Sequence, residues 1–151
     1  MLLELALATA IQHANPHLPL QTSRRWAHLV AQESEEKGLD PWMFFAIVQQ
    51  ESRWTPLVLH RYRGGRWCDV GLGQVHIRCT AKMVLPLLNP EANLRRSAQI
   101  QKQAMDWCHQ NVCEKSWVFL YNHSSDYVLQ VNLKAQEARD EYTERTRQPP
   151  R

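Results

Sequence analysis

The chain has 151 residues, a formal charge of +3, 44% hydrophobic and 22% charged residues, the size and make-up of one globular domain. Eight Pro and five Gly are too few for a collagenous or low-complexity chain, and the balance of apolar residues excludes wholesale disorder. The longest apolar run, Trp42 to Val48, falls far short of the ~20 residues that span a bilayer, and the small positive charge forms no basic stripe of the kind that nucleic-acid binders carry.

In chain order, Leu2, Leu5, Ala6 and Ile11 lie close to helical spacing, and Asn15-Pro16 ends that segment. It has a small-x-small triplet at Ala8 to Ala10 but no cationic leader, and it carries Glu4, so it reads as a first amphipathic helix and not as a convincing signal peptide. Thr22 or Ser23 is expected to cap a second helix with Trp26, Leu29 and Val30 on one face. Its end at Glu33, Glu35, Glu36 and Lys37 reads as solvated, and Gly38 closes it. Asp40-Pro41 starts a third helix, because Asp caps free backbone donors and Pro loses nothing at the first position; that helix runs to about Ser52. Pro56, Gly64, Gly65, Gly71 and Gly73 break residues 55–78 into a loop or, at most, a small irregular hairpin. Further helices are expected at Cys79 to Leu88, Ala92 to Asn111, Lys115 to about Asn122 and Tyr127 to about Arg145. The sum is a mainly α architecture of the α+β kind: one domain over residues 1–144, a Gly-rich insertion after the third helix, and a disordered tail at 145–151.

Cys68, Cys79, Cys108 and Cys113 lack the paired short spacings of a structural zinc site, so neither metal nor cofactor is expected. Cys68 and Cys79 bracket the Gly71 to Gln74 turn, and Cys108 and Cys113 are close in sequence; in an oxidising space at least one of these local pairs should be bonded.

Chemistry enters at Glu51. Phe44, Ile47, Val48 and Glu51 stand at i, i+3, i+4 and i+7, which aims a carboxyl along an apolar stripe at the negative end of a helix dipole. Both effects raise its pKa, the profile of a general acid. The alternative is a buried Glu neutralised by a neighbouring Arg such as Arg53 or Arg78.

The succession Gly38-Leu39-Asp40-Pro41, Ala46 to Ser52, Pro56, Gly71-Leu72-Gly73-Gln74-Val75, Asn89-Pro90 with Asn93-Leu94, and Tyr121-Asn122 resembles the soluble lytic transglycosylase family over about residues 22 to 142. The motifs compared are a Glu-Ser ending a buried helix, a Gly-Leu-Met-Gln turn, an Asn-Ile helix start and an Ala-Tyr-Asn-Ala-Gly segment. Three departures stand out. Gly73 replaces Met, which would widen the floor of a sugar groove; Ser97 stands where Gly is common; and Tyr121-Asn122 is preceded by Leu120 and followed by His123-Ser124.

The resemblance implies a lysozyme-like fold and cleavage of peptidoglycan glycan strands by one carboxyl, Glu51, with the muramoyl C6 hydroxyl as nucleophile and an anhydro end as product. By the same resemblance Ser52 supports the acid or its substrate, Gln74 donates to a sugar acetamido or hydroxyl group, Gly71, Leu72 and Gly73 shape the turn, and Tyr121 and Asn122 sit across the cleft. Trp54, Tyr62 and Trp67 flank the Gly-rich segment and could stack on sugar rings, whereas Trp26, Trp42, Trp107 and Trp117 read as core. Arg61, Arg63, Arg66 and Arg78 could meet lactyl or stem-peptide carboxylates but read first as solvated, and the second Glu-Ser pair, Glu33-Ser34, reads as a solvated decoy. The rival readings are a goose-type lysozyme-like hydrolase in which Asp69 positions a water, and a catalytically inactive glycan-binding or scaffold module. The expected place of action is the cell wall, from the periplasm, the outside or a virion, by an export route that the sequence does not reveal, as a phage lysis enzyme or a secretion accessory. A monomer is expected, with no nucleic-acid partner.

Overall fold

The computed structural model describes residues 1–111, 113 and 116–147. Its elements are α1 Leu2–Ala14, α2 Leu20–Lys37, α3 Pro41–Ser52, β1 Leu59–Arg61, β2 Trp67–Val70, β3 Val75–Arg78, α4 Ala81–Leu87, α5 Pro90–Gln110, α6 Phe119–Asn122 and α7 Ser125–Arg147. The chain is mainly helical with one small antiparallel sheet, a lysozyme-like arrangement. No helix among the described residues is long and apolar enough to cross a membrane.

The centre of the molecule is α3. Asp40 Oδ1 accepts from the Trp42 and Met43 backbone N–H groups at 2.8 and 3.3 Å, and Arg139 on α7 pairs with the other Asp40 oxygen. Trp42 and Phe44 to Val48 are all buried, so this helix is apolar around most of its circumference and must be enclosed by others. Leu7 and Ile11 of α1, Trp26, Ala27 and Val30 of α2, Leu94 and Ala98 of α5, and Val131 and Ala135 of α7 complete the same core. Hiding each large aliphatic side chain contributes about 2 kcal/mol of transfer free energy.

Several sequence expectations change here. Pro19, not Thr22 or Ser23, stands at the N-cap of α2; its fixed φ suits a helix start one turn earlier, and Ser23 instead donates to Gln12 Oε1 at 2.9 Å. Glu33 and Ser34 are buried, not solvated: Glu33 accepts from Lys37 Nζ at 2.5 Å and faces Arg95 Nε of α5 at 3.4 Å, so it ties α2 to α5. Trp107 is half exposed, because the residues that α5 buries end at Gln101 and its last turns overhang the core, while Trp117 packs partly against it. Of the helix expected at Lys115 to Asn122 only α6 forms among the described residues, and Lys115 itself lies outside them. Helix α7 continues through 145–147, where a disordered tail was expected; residues 148–151 of that tail lie outside the described residues.

The Gly-rich segment is more ordered than a loop or an irregular hairpin. It forms a three-stranded antiparallel sheet in the order β1-β2-β3, with Leu59 opposite Val70 and Cys68 opposite Ile77. The glycines that look like breakers are its turns: Gly64, Gly65 and Gly71 all have positive φ. One face buries Cys68, Val70, Val75 and Ile77 against Val84 of α4, a second small core, and the other face is polar and aromatic. Cys79, expected to open a helix, extends this sheet region instead, its N–H donating to Arg66 O. Cys108 and Cys113 are disulfide-bonded, while Cys68 and Cys79 are free thiols. Burial first, and hydrogen bonding to Cys79 second, push the Cys68 thiol up to about 11.

Candidate active site

Helix α3 ends one residue after Glu51, and the chain leaves it through two successive left-handed residues, Arg53 at φ 52° and Trp54 at φ 57°. Each costs on the order of 1 kcal/mol in an L-residue. The turn folds the chain back under α3 and drives the Trp54 ring, 0% exposed, between Trp26 and Phe45, with ring centroids at 6.2 and 5.7 Å. Trp54 is therefore core and cannot stack on a sugar. The same turn ends the helix where Glu51 meets a cleft of about 620 Å³ between the polar face of the sheet and the α5–α6 region.

The other wall is pinned by Asn93, fully buried in the first turns of α5. Its Oδ1 accepts from Gly73 N–H at 2.8 Å, and its Nδ2 donates to Val70 O at 2.7 Å and Leu87 O at 3.1 Å. This locks the turn between β2 and β3, where Gly71 has φ 72° and a Cβ would collide with the Asn93 side chain. Gly73 is constrained differently. A Cβ there would lie 2.6 Å from Ser97 Cβ and Oγ and 3.3 Å from Tyr121 Oη, so its bareness does not widen the groove floor: Ser97 fills the space. Tyr121 Oη donates to Gly73 O at 2.8 Å and accepts from Ser97 Oγ at 2.9 Å. The two departures at 73 and 97 are thus one exchange of volume across a contact.

Glu51 accepts a hydrogen bond from Tyr127 Oη on α7 at 2.6 Å, and Tyr127 stacks on Tyr121 at 6.4 Å and 11°. Among the described residues no ion pair reaches Glu51, so neutralisation by Arg53 or Arg78 does not occur. Burial raises its carboxyl to about 7; the Tyr127 hydrogen bond opposes the rise, and the charge of Asp69 adds to it. Burial also pushes both tyrosine hydroxyls up, so Tyr127 remains a donor. Asp69, facing the same cleft from β2, is already occupied: Tyr62 Oη donates to its Oδ2 at 2.6 Å, and His76 Nδ1 lies 2.7 Å from its Oδ1.

Residues 28–142 match the family model described as the transglycosylase SLT domain. The chain belongs to this family. Neither a curated protein nor a solved structure matches it.

Within this SLT domain the structure gathers some of the residues expected at the site and sets others aside. Glu51, Gln74, Tyr121, Asn122 and Tyr62 line the cleft. Ser52 does not; it is buried and its hydroxyl donates back to Val48 O at 3.2 Å. Gly71, Leu72 and Gly73 are buried beneath the lining and act through the turn, Leu72 joining the main core. The Gln74 side-chain amide donates inward to Gly71 O at 2.8 Å, and Gln74 itself sits at φ 45°. Trp67 lies beyond the lining, stacked on His76. Sequence reasoning missed Tyr127, His76, Arg96 and His123. Tyr127 has no local signal, since its partner is 76 positions away in the chain. His76 shows one: it alternates with buried Val75 and Ile77 directly across from Asp69.

Proposed function

We propose that this SLT domain is a peptidoglycan lytic transglycosylase that cleaves between N-acetylmuramic acid and N-acetylglucosamine with one carboxyl, Glu51, and leaves a 1,6-anhydromuramoyl end. One observation carries the reading: a carboxyl at the end of a buried helix, facing an open cleft, which burial raises to about 7, so that about half of it carries a proton in neutral solution, where an ordinary Glu is ionised. Tyr127 donates to Oε1, which favours the proton on the other carboxyl oxygen. Glu51 gives that proton to the glycosidic oxygen as the bond to the muramoyl C1 breaks, and the leaving N-acetylglucosamine departs as an alcohol. The carboxylate then takes the proton of the muramoyl C6 hydroxyl while its oxygen bonds C1, which restores the acid and consumes no water.

Hydrolysis needs a second group to hold a water, and Asp69 is the carboxylate on the same cleft. Its two oxygens are already engaged by Tyr62 and His76, which favours the internal nucleophile. The test is mass spectrometry of fragments released from purified sacculi. Anhydromuramoyl ends are expected; reducing ends carrying oxygen from labelled water would replace this reading with a hydrolase, and no release at all with an inactive binding module. The domain acts on the cell wall, and a role in phage lysis or beside a secretion apparatus would supply the route by which it gets there.

A further inference from the structure

The polar face of the sheet does not stop at the residues that line the cleft. The register sets His60 beside Asp69 and Asp69 beside His76, and one step further along the same face Trp67 lies opposite Arg78. Asp69 and His76 belong to the cleft lining, so Trp67 and Arg78 continue that wall outward. They are ordered against one another. Trp67 lies flat on His76, centroids 5.1 Å apart and planes 13° apart, and the Arg78 guanidinium sits 6.0 Å from the Trp67 ring centroid. Trp67, His76 and Arg78 are nonetheless exposed.

The segment that builds this sheet is one-sided in charge. Residues 53–82 hold Arg53, Arg61, Arg63, Arg66, Arg78 and Lys82 against Asp69 as their sole acid. Asp69 is engaged within the sheet, and among the described residues Arg61, Arg63, Arg66, Arg78 and, on the α5 side of the cleft, Arg96 make no ion pair. A guanidinium held near an indole has already lost part of its side-chain freedom and is suited to carboxylate. An uncharged polysaccharide can accept hydrogen bonds from such cations but offers them no opposite charge.

We infer that the outer face of the sheet extends the glycan cleft and binds carboxylates carried by the strand, Arg78 supplying the charge and Trp67 the apolar floor for a sugar ring. The inference rests on the peptidoglycan reading above. The carboxylate can belong to the lactyl ether or to the stem peptide.

The experiment is equilibrium binding of the Glu51→Gln protein, which leaves strands uncut, to three preparations: strands with stem peptides, strands stripped of peptide by an amidase, and strands whose carboxylates are capped as methyl amides. Capping is expected to weaken binding several-fold. Arg78→Gln should weaken binding to uncapped strands about threefold, the size of an exposed charge pair, and make no difference to capped ones. Trp67→Ala should weaken binding to all three about fivefold, as loss of a stacking face does. Arg24→Gln, which removes the same charge from α2 outside the cleft, should change nothing. The amidase frees the lactyl carboxylate, which the stem peptide otherwise holds as an amide, so tighter binding to stripped strands identifies the lactyl carboxylate, tighter binding to peptide-bearing strands identifies the stem peptide, and equal binding shows that either carboxylate serves. Strand binding that ignores capping, or that falls equally with Arg24→Gln and Arg78→Gln, overturns this inference and leaves the proposed reaction standing; failure to bind any strand overturns both.

Discussion

Glu51 and Asp69 look onto one cleft from two kinds of structure. Glu51 ends a helix enclosed by the main core and keeps one hydrogen-bond donor, Tyr127. Asp69 sits mid-strand on a thin sheet whose polar face is open, and has a partner on each oxygen. The first environment penalises negative charge and leaves a proton to give; the second supplies donors and fixes the carboxylate as a scaffold for Tyr62 and His76. Two acids in one cleft therefore need not be a catalytic pair.

The contrast is broken most sharply at Glu51. Glu51→Gln should keep the fold and lose on the order of 10²-fold or more in turnover on sacculi. It should also change stability in a pH-dependent way. The folded-state value of about 7 lies above the ordinary 4.5, so the stability this carboxyl contributes is full below pH 4.5 and is lost as pH rises through 7. Gln suffers no such loss. Thermal melts of variant and wild type should coincide near pH 4 and separate above pH 7, the variant melting higher, by an amount on the order of 2 kcal/mol; a constant gap across that range contradicts the buried-acid assignment.

Next in size is the turn that supports both walls. Gly73→Ala places a Cβ against Ser97 and should cost about 2 kcal/mol in denaturant unfolding. Adding Ser97→Gly should recover part of that loss, and strictly additive penalties would show that the two positions do not exchange volume. Tyr127→Phe removes the donor that favours the Glu51 carboxylate, so the carboxyl should titrate higher still. The alkaline limb of the pH–rate profile should move up by about half to one unit, with turnover falling less than about tenfold. A limb that stays in place or moves down argues against the hydrogen bond. Asp69→Asn should do least, leaving most cleavage and the anhydro product intact; a folded but inactive Asp69→Asn protein would return Asp69 to the chemistry.

What could be read from the chain alone follows the range of the interactions. The limits of α3, its Asp40-Pro41 start and the Phe44-Ile47-Val48-Glu51 stripe depend on neighbours a turn apart, and the structure holds them as expected. The three-strand sheet is hard to see in the sequence because its strands are three or four residues long and its turns are glycines that look like breakers. Trp54 reads as a cleft residue because no Gly or Asn announces that 53 and 54 are left-handed. Glu33 reads as solvated in the sequence because its partner Arg95 lies on another helix, and Tyr127 reaches Glu51 only once α7 has docked on α3. Gly73 and Ser97 each stood out singly, but that they compensate one another required the fold.

The left-handed pair after α3 also divides the chain's future variation. Arg53 is exposed, and its N–H caps the helix by donating to Gln49 O, so a glycine there keeps the cap, removes the Cβ conflict and should gain about 1 kcal/mol. Trp54 has the same backbone geometry one residue on, yet its ring is clamped between Trp26 and Phe45 and a glycine would empty the core. Random change at these adjacent codons thus meets opposite selection, one position offering a reserve of stability to spend on new cleft residues and the other tolerating almost nothing.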